Sequence, residues 1–446
     1  MPENQEDQLN SMWSRLLHIA RAESPGIACA VGLSILFAVL VSRDLDSWQY
    51  CYIGDEYIHY QYAMEINQGI FKPSVFSQNG VWGLHPQLDL IYQASILRLL
   101  GGTNFAWRFS SVLVSAVSVL LVYILGRIAR GMGVGLVAAF LFASSQHLWA
   151  YSHVGVNNLF SLPYIIMTFI FAFSGLKWQR SGLFFLSGCF SGMGFYTFYT
   201  GRIPIIVVSL FLAARIKSEK HGVRYLLVYI VGFACTFLPF LIKNGAATFS
   251  YMIGQTAPHV DVNQFPFGRL GLIYDNFKGT LVGILYSHDV SNHFVSGSLV
   301  DDISGISFLI GLVLVARKPM MREIAQLLLL WLILGAFIAG GLFYQPGLAY
   351  TRLHVILPPI CLIAAIGIES VITRIQGWDV RILARSIVLV MALALNIFRF
   401  YYWTPLVKPK PEPMMMMKKY QEGTATEEDI KKIPAFVFPL YRKPAP

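Results

Sequence analysis

The stretch SSVLVSAVSVLLVYILGR, residues 110–127, contains no charged side chain before its final arginine. A helix of about 20 mostly apolar residues crosses the hydrocarbon core of a bilayer, which is about 30 Å thick. Comparable apolar stretches recur along the chain between residues 26 and 400. The stretch therefore predicts one membrane-spanning helix, and its recurrence predicts a polytopic helical membrane protein.

The composition agrees with a membrane protein and excludes a soluble one. The chain has 446 residues, of which 55% are hydrophobic and 13% are charged. An ordinary soluble protein carries about 25% charged residues. The net charge is +10, but the basic residues lie mostly at the ends of apolar segments and form no cluster interleaved with aromatic residues. We therefore expect membrane lipids, and not nucleic acid, as partners.

The hydropathy pattern predicts an all-α bundle of about eleven membrane-spanning helices. Proline residues near several of them are tolerated, since neighbouring helices satisfy the freed backbone groups. The predicted spans are roughly 26–42, 109–126, 131–150, 159–176, 182–199, 203–214, 225–242, 303–316, 325–343, 353–373 and 383–400.

The basic residues predict how this bundle is oriented. Lys and Arg are enriched in the cytoplasmic segments of membrane proteins. With the N-terminus in the cytoplasm, every inner segment carries at least two basic residues, such as Arg127 and Arg130. We therefore expect a cytoplasmic segment at 1–25, a membrane domain at 26–400 and an extracytoplasmic tail at 401–446.

Two long outer loops, at about 43–108 and 243–302, separate the predicted spans. Both are polar, and both contain stretches that could form helices in the membrane surface, such as DLIYQASILRLLG at 89–101. Eight of the ten histidines fall in or near outer segments. This uneven distribution of histidines predicts that a catalytic site, if the chain has one, lies on the outer face.

The first outer loop contains an adjacent pair of acids, Asp55 and Glu56. Two carboxylates at the mouth of a bundle can act as a general base, bind a divalent cation or cap a helix. Capping is a serious alternative, because acids favour helix N-termini and DEYIHYQYAMEI resembles a helix start.

Two arginines stand at the outer ends of predicted spans. Arg202 follows Tyr199, and Arg352 lies between Tyr350 and His354. Such arginines can extend to lipid headgroups, or they can bind a phosphate that lies at headgroup level. Two of them on one face favour the phosphate site, with Tyr199, Tyr350 and His354 as further candidates.

Three more histidines are candidates on the outer side. His85 precedes a proline, which holds its imidazole in a loop at the start of a helix. His288 and His293 lie with Asp289 in LYSHDVSNHF, whose spacing matches no strong zinc pattern. Cys29, Cys189, Cys235 and Cys361 lie in apolar segments, and we predict neither a disulfide framework nor a metal site from the cysteines.

The order of these motifs resembles that of the GT-C glycosyltransferases, most nearly the protein O-mannosyltransferases and the lipid A aminoarabinose transferases. The similarity covers about residues 26–400. The motifs that carry it are GDEYIHYQYAMEINQG, HPQLDLIY, LLGGTNFAWRFSSVLVS, GMGFYTFYTGRIPIIV, HDVSNHF with the following LVDDISGISFLIGLVLVARK, and YTRLHVILPPICLIAAIGIE.

The resemblance implies an enzyme that moves a sugar from a dolichyl- or undecaprenyl-phosphate donor to a protein, lipid or glycan acceptor outside the membrane. It makes Asp55 the expected general base and Glu56 a companion acid that orients the acceptor. Arg202 and Arg352 are then expected to contact the lipid phosphate.

One departure from the family pattern concerns the acceptor and the metal. Many relatives carry a second acid between the third and fourth spans, where this chain has Asn157 and Asn158. We therefore expect a reaction without a cofactor, with a divalent metal as the alternative. A flippase of a lipid-linked sugar and a catalytically inactive subunit with the same fold are the competing hypotheses.

Overall fold

The computed structural model describes residues 25–46, 53–217, 221–258, 260–288, 295–317, 322–407, 423–424 and 426–428. Every regular element in these ranges is a helix. Those of the first half are α1 Pro25–Asp44, α2 Ile53–Asn67, α3 Leu88–Leu100, α4 Asn104–Arg130, α5 Met132–Ser144, α6 Gln146–Ser152, α7 Leu162–Trp178, α8 Ser181–Met193 and α9 Ile203–Ala214. Those of the second half are α10 Gly222–Asn244, α11 Ala247–Thr256, α12 Arg269–Gly283, α13 Asp302–Arg317, α14 Arg322–Ala336, α15 Tyr350–Leu353, α16 Leu357–Ile372, α17 Trp378–Phe398 and α18 Thr404–Val407.

Six helices in the described ranges are long and apolar enough to cross a membrane. They are α1, α4, α10 and the extended helices Asn157–Trp178, Arg322–Gly341 and Trp378–Leu406. The pair α5 and α6 forms a seventh candidate, bent by 55° between them, and Tyr199–Ala214 and Leu357–Ile372 are shorter apolar helices. The all-α membrane bundle predicted from the sequence is therefore confirmed.

Each of the eleven predicted spans overlaps a helix, although the number that cross the membrane stays a prediction. The α-helix at the predicted span 182–199 ends at Met193, and a short 3-10 helix, Gly194–Tyr196, follows it. The predicted span 131–150 bends at Ser145. Apolar composition predicts helix in both segments but does not predict these interruptions.

Glycines let the helices approach closely. A methyl group at Gly188 of α8 would collide with the carbonyl of Tyr229 in α10, and one at Gly232 of α10 would collide with the carbonyl of Phe185. Gly367 of α16 meets α13 in the same way, at the carbonyl of Ser307. Small residues of this kind allow helix backbones to pack by van der Waals contact inside a bilayer. These glycines therefore allow α8 to pack closely against α10, and α13 against α16.

The first long loop folds against the bundle through α2 and α3. Tyr60, Ala63, Leu97 and Trp107 share a small buried cluster that joins these helices to the start of α4. The Tyr60 hydroxyl donates to the carbonyl of Gly102 at 2.9 Å. This packing gives α2, which carries the predicted acids, a fixed place beside the bundle.

The two long loops are also joined to each other. The Gln78 backbone N–H donates to Oδ1 of Asn244 at 2.9 Å, and its side chain donates to the carbonyl of Ala247 at 2.7 Å. Asn244 in turn donates to the carbonyl of Phe76 at 2.7 Å. Because α11 begins at Ala247, these bonds hold α11 next to the first loop.

Candidate active site

A polar cluster lies where α7, α9 and α16 begin. Short helical segments, Asn157–Ser161, Tyr199–Arg202 and α15, lead into these three helices. Thr200 lies at the centre, with its hydroxyl 2.8 Å from Ser161 Oγ and 2.8 Å from Nε2 of His354. We call the set His85, Asn157, Thr200, Arg202, Arg352 and His354 the arginine cluster; all six are buried.

Arg202 is the most distinctive member of the cluster. Its side chain is 1% exposed, and its Nη1 donates to the carbonyl of Thr248 at 2.8 Å. Within the described part of the chain, its Nε and Nη2 have no hydrogen-bond partner. Burying a charged group without partners costs several kcal/mol. The two remaining donors therefore suit an anionic ligand.

A tight loop between α8 and α9 places Arg202. Gly194 and Gly201 face each other across its neck, and a methyl group on either would meet the carbonyl of the other. The backbone N–H of Gly201 donates to the carbonyl of Phe198 at 2.9 Å. The loop thus presents an aromatic ring, Phe195, to the guanidinium, whose carbon lies 5.1 Å from the ring centre.

Arg352 lies in a cage of aromatic rings. Its guanidinium carbon is 4.5 Å from the ring centre of Phe343, 5.0 Å from that of Tyr344 and 5.2 Å from that of Tyr199. Both arginines interact electrostatically with Tyr199 and with Tyr251 of α11. The structure therefore brings together the two arginines that the sequence places 150 residues apart in the chain.

His85 joins the first long loop to this cluster. Its Nδ1 lies 3.1 Å from Nδ2 of Asn157 and 3.3 Å from the hydroxyl of Tyr251. Burial, together with the nearby charge of Arg202, lowers the pKa of His85 to about 3. The imidazole is therefore neutral at physiological pH, and its Nδ1 accepts a hydrogen bond.

Tyr199 and His354 also belong to this region. The Tyr199 hydroxyl donates to the carbonyl of Ile338 at 2.9 Å, which anchors the ring that faces Arg352. The ring of His354 lies 5.9 Å from that of Phe198. Tyr199 and His354 thus lie among the aromatic rings beside the two arginines.

Asp89 is a member of the site region that sequence reasoning missed. Its carboxyl is buried in the first turn of α3 and interacts with Asn157, the residue that also contacts His85. Burial raises the pKa of Asp89 well above its ordinary value, although the interaction with Asn157 opposes this shift. The sequence does contain a signal that could have identified Asp89. It is an acid inside the HPQLDLIY motif, at the otherwise apolar start of a helix.

Glu56 forms a buried ion pair. Its Oε1 accepts from Nε of Arg108 at 2.9 Å and from the backbone N–H of Gly155 at 2.8 Å. Arg108 Nη1 also donates to the carbonyl of Leu45 at 2.8 Å. Glu56 thereby ties α2 to α4 and to the segment before α7.

Asp55 lies in the first turn of α2, but its side chain is outside the described part of the structure. His59 follows one helical turn later, on the same face of the helix. The ring centre of His59 lies 5.7 Å from that of His85. The face of α2 that carries His59 therefore lies against His85 of the arginine cluster.

The remaining candidates lie elsewhere. The Tyr350 hydroxyl donates to the carbonyl of Gly297 at 2.6 Å, so Tyr350 anchors α15 to the second loop. His288 is exposed, pairs with Tyr286 and lines a cavity with Ser298 and Arg399. His293 lies outside the described residues.

Among the described residues, no three His, Cys, Asp or Glu side chains converge as a ligand set would. Asp289 and His293 fall outside the described ranges. The metal requirement of the site stays a prediction.

The arrangement has a clear chemical capacity. Two desolvated guanidinium groups, one with free donors, face aromatic rings that keep water away. Donors fixed in a dry site act most strongly on an anion whose charge grows during reaction. The cluster can therefore bind a phosphate-like group and stabilise it as a leaving group.

Part of the chain matches a known protein family. Residues 85–242 match the family described as dolichyl-phosphate-mannose-protein mannosyltransferase. The matched segment contains His85, Asp89, Asn157, Tyr199 and Arg202. No curated protein sequence gives a significant match to the chain.

Solved structures share the fold over almost the whole chain. ArnT from Cupriavidus metallidurans, bound to undecaprenyl phosphate, aligns with a TM-score of 0.56 and 13% identity over 92% of this chain and 75% of that one. The apo oligosaccharyltransferase of Archaeoglobus fulgidus aligns with a TM-score of 0.53 and 14% identity, over 94% of this chain and 60% of that one. AglB from the same organism, in complex with an inhibitory peptide and a dolichol-phosphate, gives a TM-score of 0.52 and 13% identity over 94% and 60%. The chain is therefore an integral membrane protein with the fold that ArnT and AglB share.

Proposed function

We propose that the chain is a glycosyltransferase that moves a sugar from a polyprenyl-phosphate donor to an acceptor at the outer face of the membrane. The observation that carries this proposal is Arg202, a buried guanidinium with two donors left for a ligand. Arg352 supplies a second cation nearby. The undecaprenyl phosphate on ArnT and the dolichol-phosphate on AglB support a polyprenyl phosphate as the donor's lipid part.

The arginines would act on the leaving group. The bond between the anomeric carbon and the phosphate oxygen breaks, and polyprenyl phosphate leaves with the bonding electrons. Negative charge therefore grows on the phosphate, where Arg202 Nε and Nη2 can donate hydrogen bonds. Such charge-assisted bonds are roughly twice as strong as neutral ones.

Asp55 would act on the acceptor. As the acceptor hydroxyl or amine attacks the anomeric carbon, its proton passes to the Asp55 carboxylate, and the sugar inverts. A general base must come within about 3 Å of that proton. The ion pair of Glu56 with Arg108 holds α2 in place, and His59 keeps its face against His85. In this proposal Glu56 is a positioning residue for Asp55.

The orientation follows from charge. The arginine cluster lies where α7 and α16 begin, whereas basic residues such as Arg130 and Lys177 lie where α4 and α7 end. The positive-inside rule puts the basic ends in the cytoplasm. The N-terminus is then cytoplasmic, and the cluster and the C-terminal tail face the outside. The acceptor class, whether protein, lipid or glycan, stays open, and we propose that the reaction needs no metal.

The proposal is tested with the purified full chain in proteoliposomes that contain a polyprenyl-phosphate sugar. Asp55→Asn is expected to abolish sugar transfer while leaving the unfolding midpoint unchanged. Asp379→Asn, an exposed acid in the first turn of α17, is the matched control and should retain full activity. Near-normal turnover of Asp55→Asn would eliminate Asp55 as the base. Lipid movement across the bilayer without any transfer would instead favour a flippase.

A further inference from the structure

A groove lies at the end of the bundle opposite the arginine cluster. It is formed where α4, α7 and α13 end and α14 begins, and it has a volume of about 320 Å³. Its walls are largely apolar and include Ala129, Leu314, Ala325 and Leu328. We call this feature the basal groove.

Two cations stand at the rim of the basal groove. Arg130, the last residue of α4, is exposed and lines it. Lys177 lines it as well, and its Nζ donates to the carbonyl of Ile128 at 2.9 Å. That bond holds the ammonium beside the end of α4, close to Arg130 in the same rim.

Two of the described acids near this end of the bundle, Glu369 and Glu323, are paired with arginines. Glu369 accepts from Nε and Nη2 of Arg385 at 2.7 and 3.0 Å. Glu323 accepts from Arg215 at 2.8 Å. The charge that the rim offers to a ligand is therefore positive.

A purely structural role explains part of this arrangement. Cations favour the C-terminal end of a helix, because carbonyl groups there carry partial negative charge. Lys177 satisfies a carbonyl of α4 in this way. Helix capping does not require an apolar groove between these helices, however, nor an exposed second cation at its mouth.

We propose that the basal groove binds an anionic membrane phospholipid, with an acyl chain between the helices and the phosphate on Arg130 and Lys177. The apolar walls match hydrocarbon, and the rim matches the headgroup charge. Basic pockets between helices on the cytoplasmic side of membrane proteins bind anionic headgroups in this way. The site is remote from Arg202 and does not depend on the proposed transfer reaction.

The test is thermal unfolding of the purified full chain in detergent with added lipid. Phosphatidylglycerol at saturating mole ratio is expected to raise the unfolding midpoint by about 3–5 °C, because a ligand that binds only the folded state stabilises it. Phosphatidylcholine and inorganic phosphate, at matched concentrations, should not. An equal shift with phosphatidylcholine would overturn the charge assignment, and a shift with inorganic phosphate would indicate a soluble anion site.

Two variants separate the charge from the groove. The double variant Arg130→Gln/Lys177→Gln should lower the apparent affinity for phosphatidylglycerol about tenfold. Ala325→Phe fills the groove, keeps both charges and should cause a similar loss. Arg374→Gln, an exposed cation at the end of α16 outside the groove, is the control and should behave as wild type. Unchanged phosphatidylglycerol shifts in both test variants would refute the site, even if sugar transfer is intact.

Discussion

The guanidinium carbon of Arg202 lies 4.9 Å from the ring centre of Tyr251, whose hydroxyl lies 3.3 Å from Nδ1 of His85. A ring face attracts a cation by about 0.5–2 kcal/mol, which offsets a small part of the cost of desolvating it. The ring cannot accept the hydrogen bonds of Nε and Nη2. Tyr251 therefore packs against Arg202 without satisfying these two donors.

Replacing Arg202 with lysine should weaken donor use more than it weakens folding. The ammonium keeps the charge but loses the planar fork that can donate two parallel hydrogen bonds to a phosphate. Since a charge-assisted hydrogen bond contributes about 1.5–3 kcal/mol, the KM for the polyprenyl-phosphate sugar should rise about 10- to 100-fold. Initial rates in proteoliposomes at varied donor concentration measure this change.

Arg399→Lys is the matched control for that substitution. Arg399 lies at the end of α17, donates to Ser298 Oγ at 2.9 Å and pairs with the exposed Asp302. Its replacement should leave the donor KM within about twofold of wild type, because surface ion pairs contribute little. A donor KM that is equal in Arg202→Lys and wild type would count against a phosphate site at Arg202.

Glu56→Gln should destabilise the protein. The substitution leaves the buried Arg108 guanidinium without its counter-charge, and breaking a buried pair in this way costs about 3–5 kcal/mol. The unfolding midpoint in detergent should therefore fall by several degrees, in contrast to Asp55→Asn. A double variant, Glu56→Gln/Arg108→Met, should regain part of the loss, because it removes both charges.

This cycle distinguishes positioning from direct catalysis. A positioning role predicts that the double variant recovers stability and some transfer activity together. If Glu56→Gln unfolds at the wild-type temperature yet transfers no sugar, then Glu56 acts on the substrate and our assignment is wrong.

Asp89→Asn should change the pH dependence of stability. Burial raises the pKa of Asp89 in the folded chain, so the folded state holds its proton at a pH where the unfolded state has lost it. The wild-type protein therefore loses stability from this group as the pH rises above about 4, the ordinary pKa of an aspartate. The loss continues until the pH passes the raised pKa.

The asparagine variant has no proton to lose and should show a flatter curve. Unfolding midpoints of both proteins between pH 4 and pH 8 provide the comparison, and the difference should favour the variant increasingly at higher pH. A constant difference across this range would mean that Asp89 keeps its ordinary pKa in the folded protein.

The sequence predicts the bundle well because bilayer thickness constrains it. Each apolar stretch of sufficient length forms a helix, and the amphipathic stretch 89–101 corresponds to α3, Leu88–Leu100. The end of α8 at Met193 was not predictable from hydropathy, since the following GFYTFYTG is also apolar and aromatic. Contact between Gly194 and Gly201 decides that turn, and hydropathy carries no information about it.

The sequence predicted those candidate site residues whose charge is unusual for the apolar segments around them. Arg202 and Arg352 stand out as charges at the ends of apolar segments, and the structure places them in one cluster. Glu56 is different, because its partner Arg108 lies 52 positions along the chain and no local pattern links them. Asp89 was missed for a similar reason: it is buried only in the folded bundle, where the tertiary fold also brings Asn157 close to it.

The last prediction concerns the loop that positions Arg202. Gly201→Ala places a methyl group 2.5 Å from the carbonyl oxygen of Gly194 and 3.0 Å from Thr197 Oγ1, which forces the loop apart. Overpacking of this kind costs about 1–3 kcal/mol, and the displaced loop should also raise the donor KM.

Gly254→Ala is the control, because a methyl group on this α11 residue meets no atom within 4 Å. That control should be neutral or stabilising by up to about 1 kcal/mol, since alanine favours helix over glycine. If the two variants have equal unfolding midpoints and equal donor KM values, the loop accommodates the added methyl group without moving Arg202. The close contact between Gly201 and Gly194 would then not be what positions Arg202.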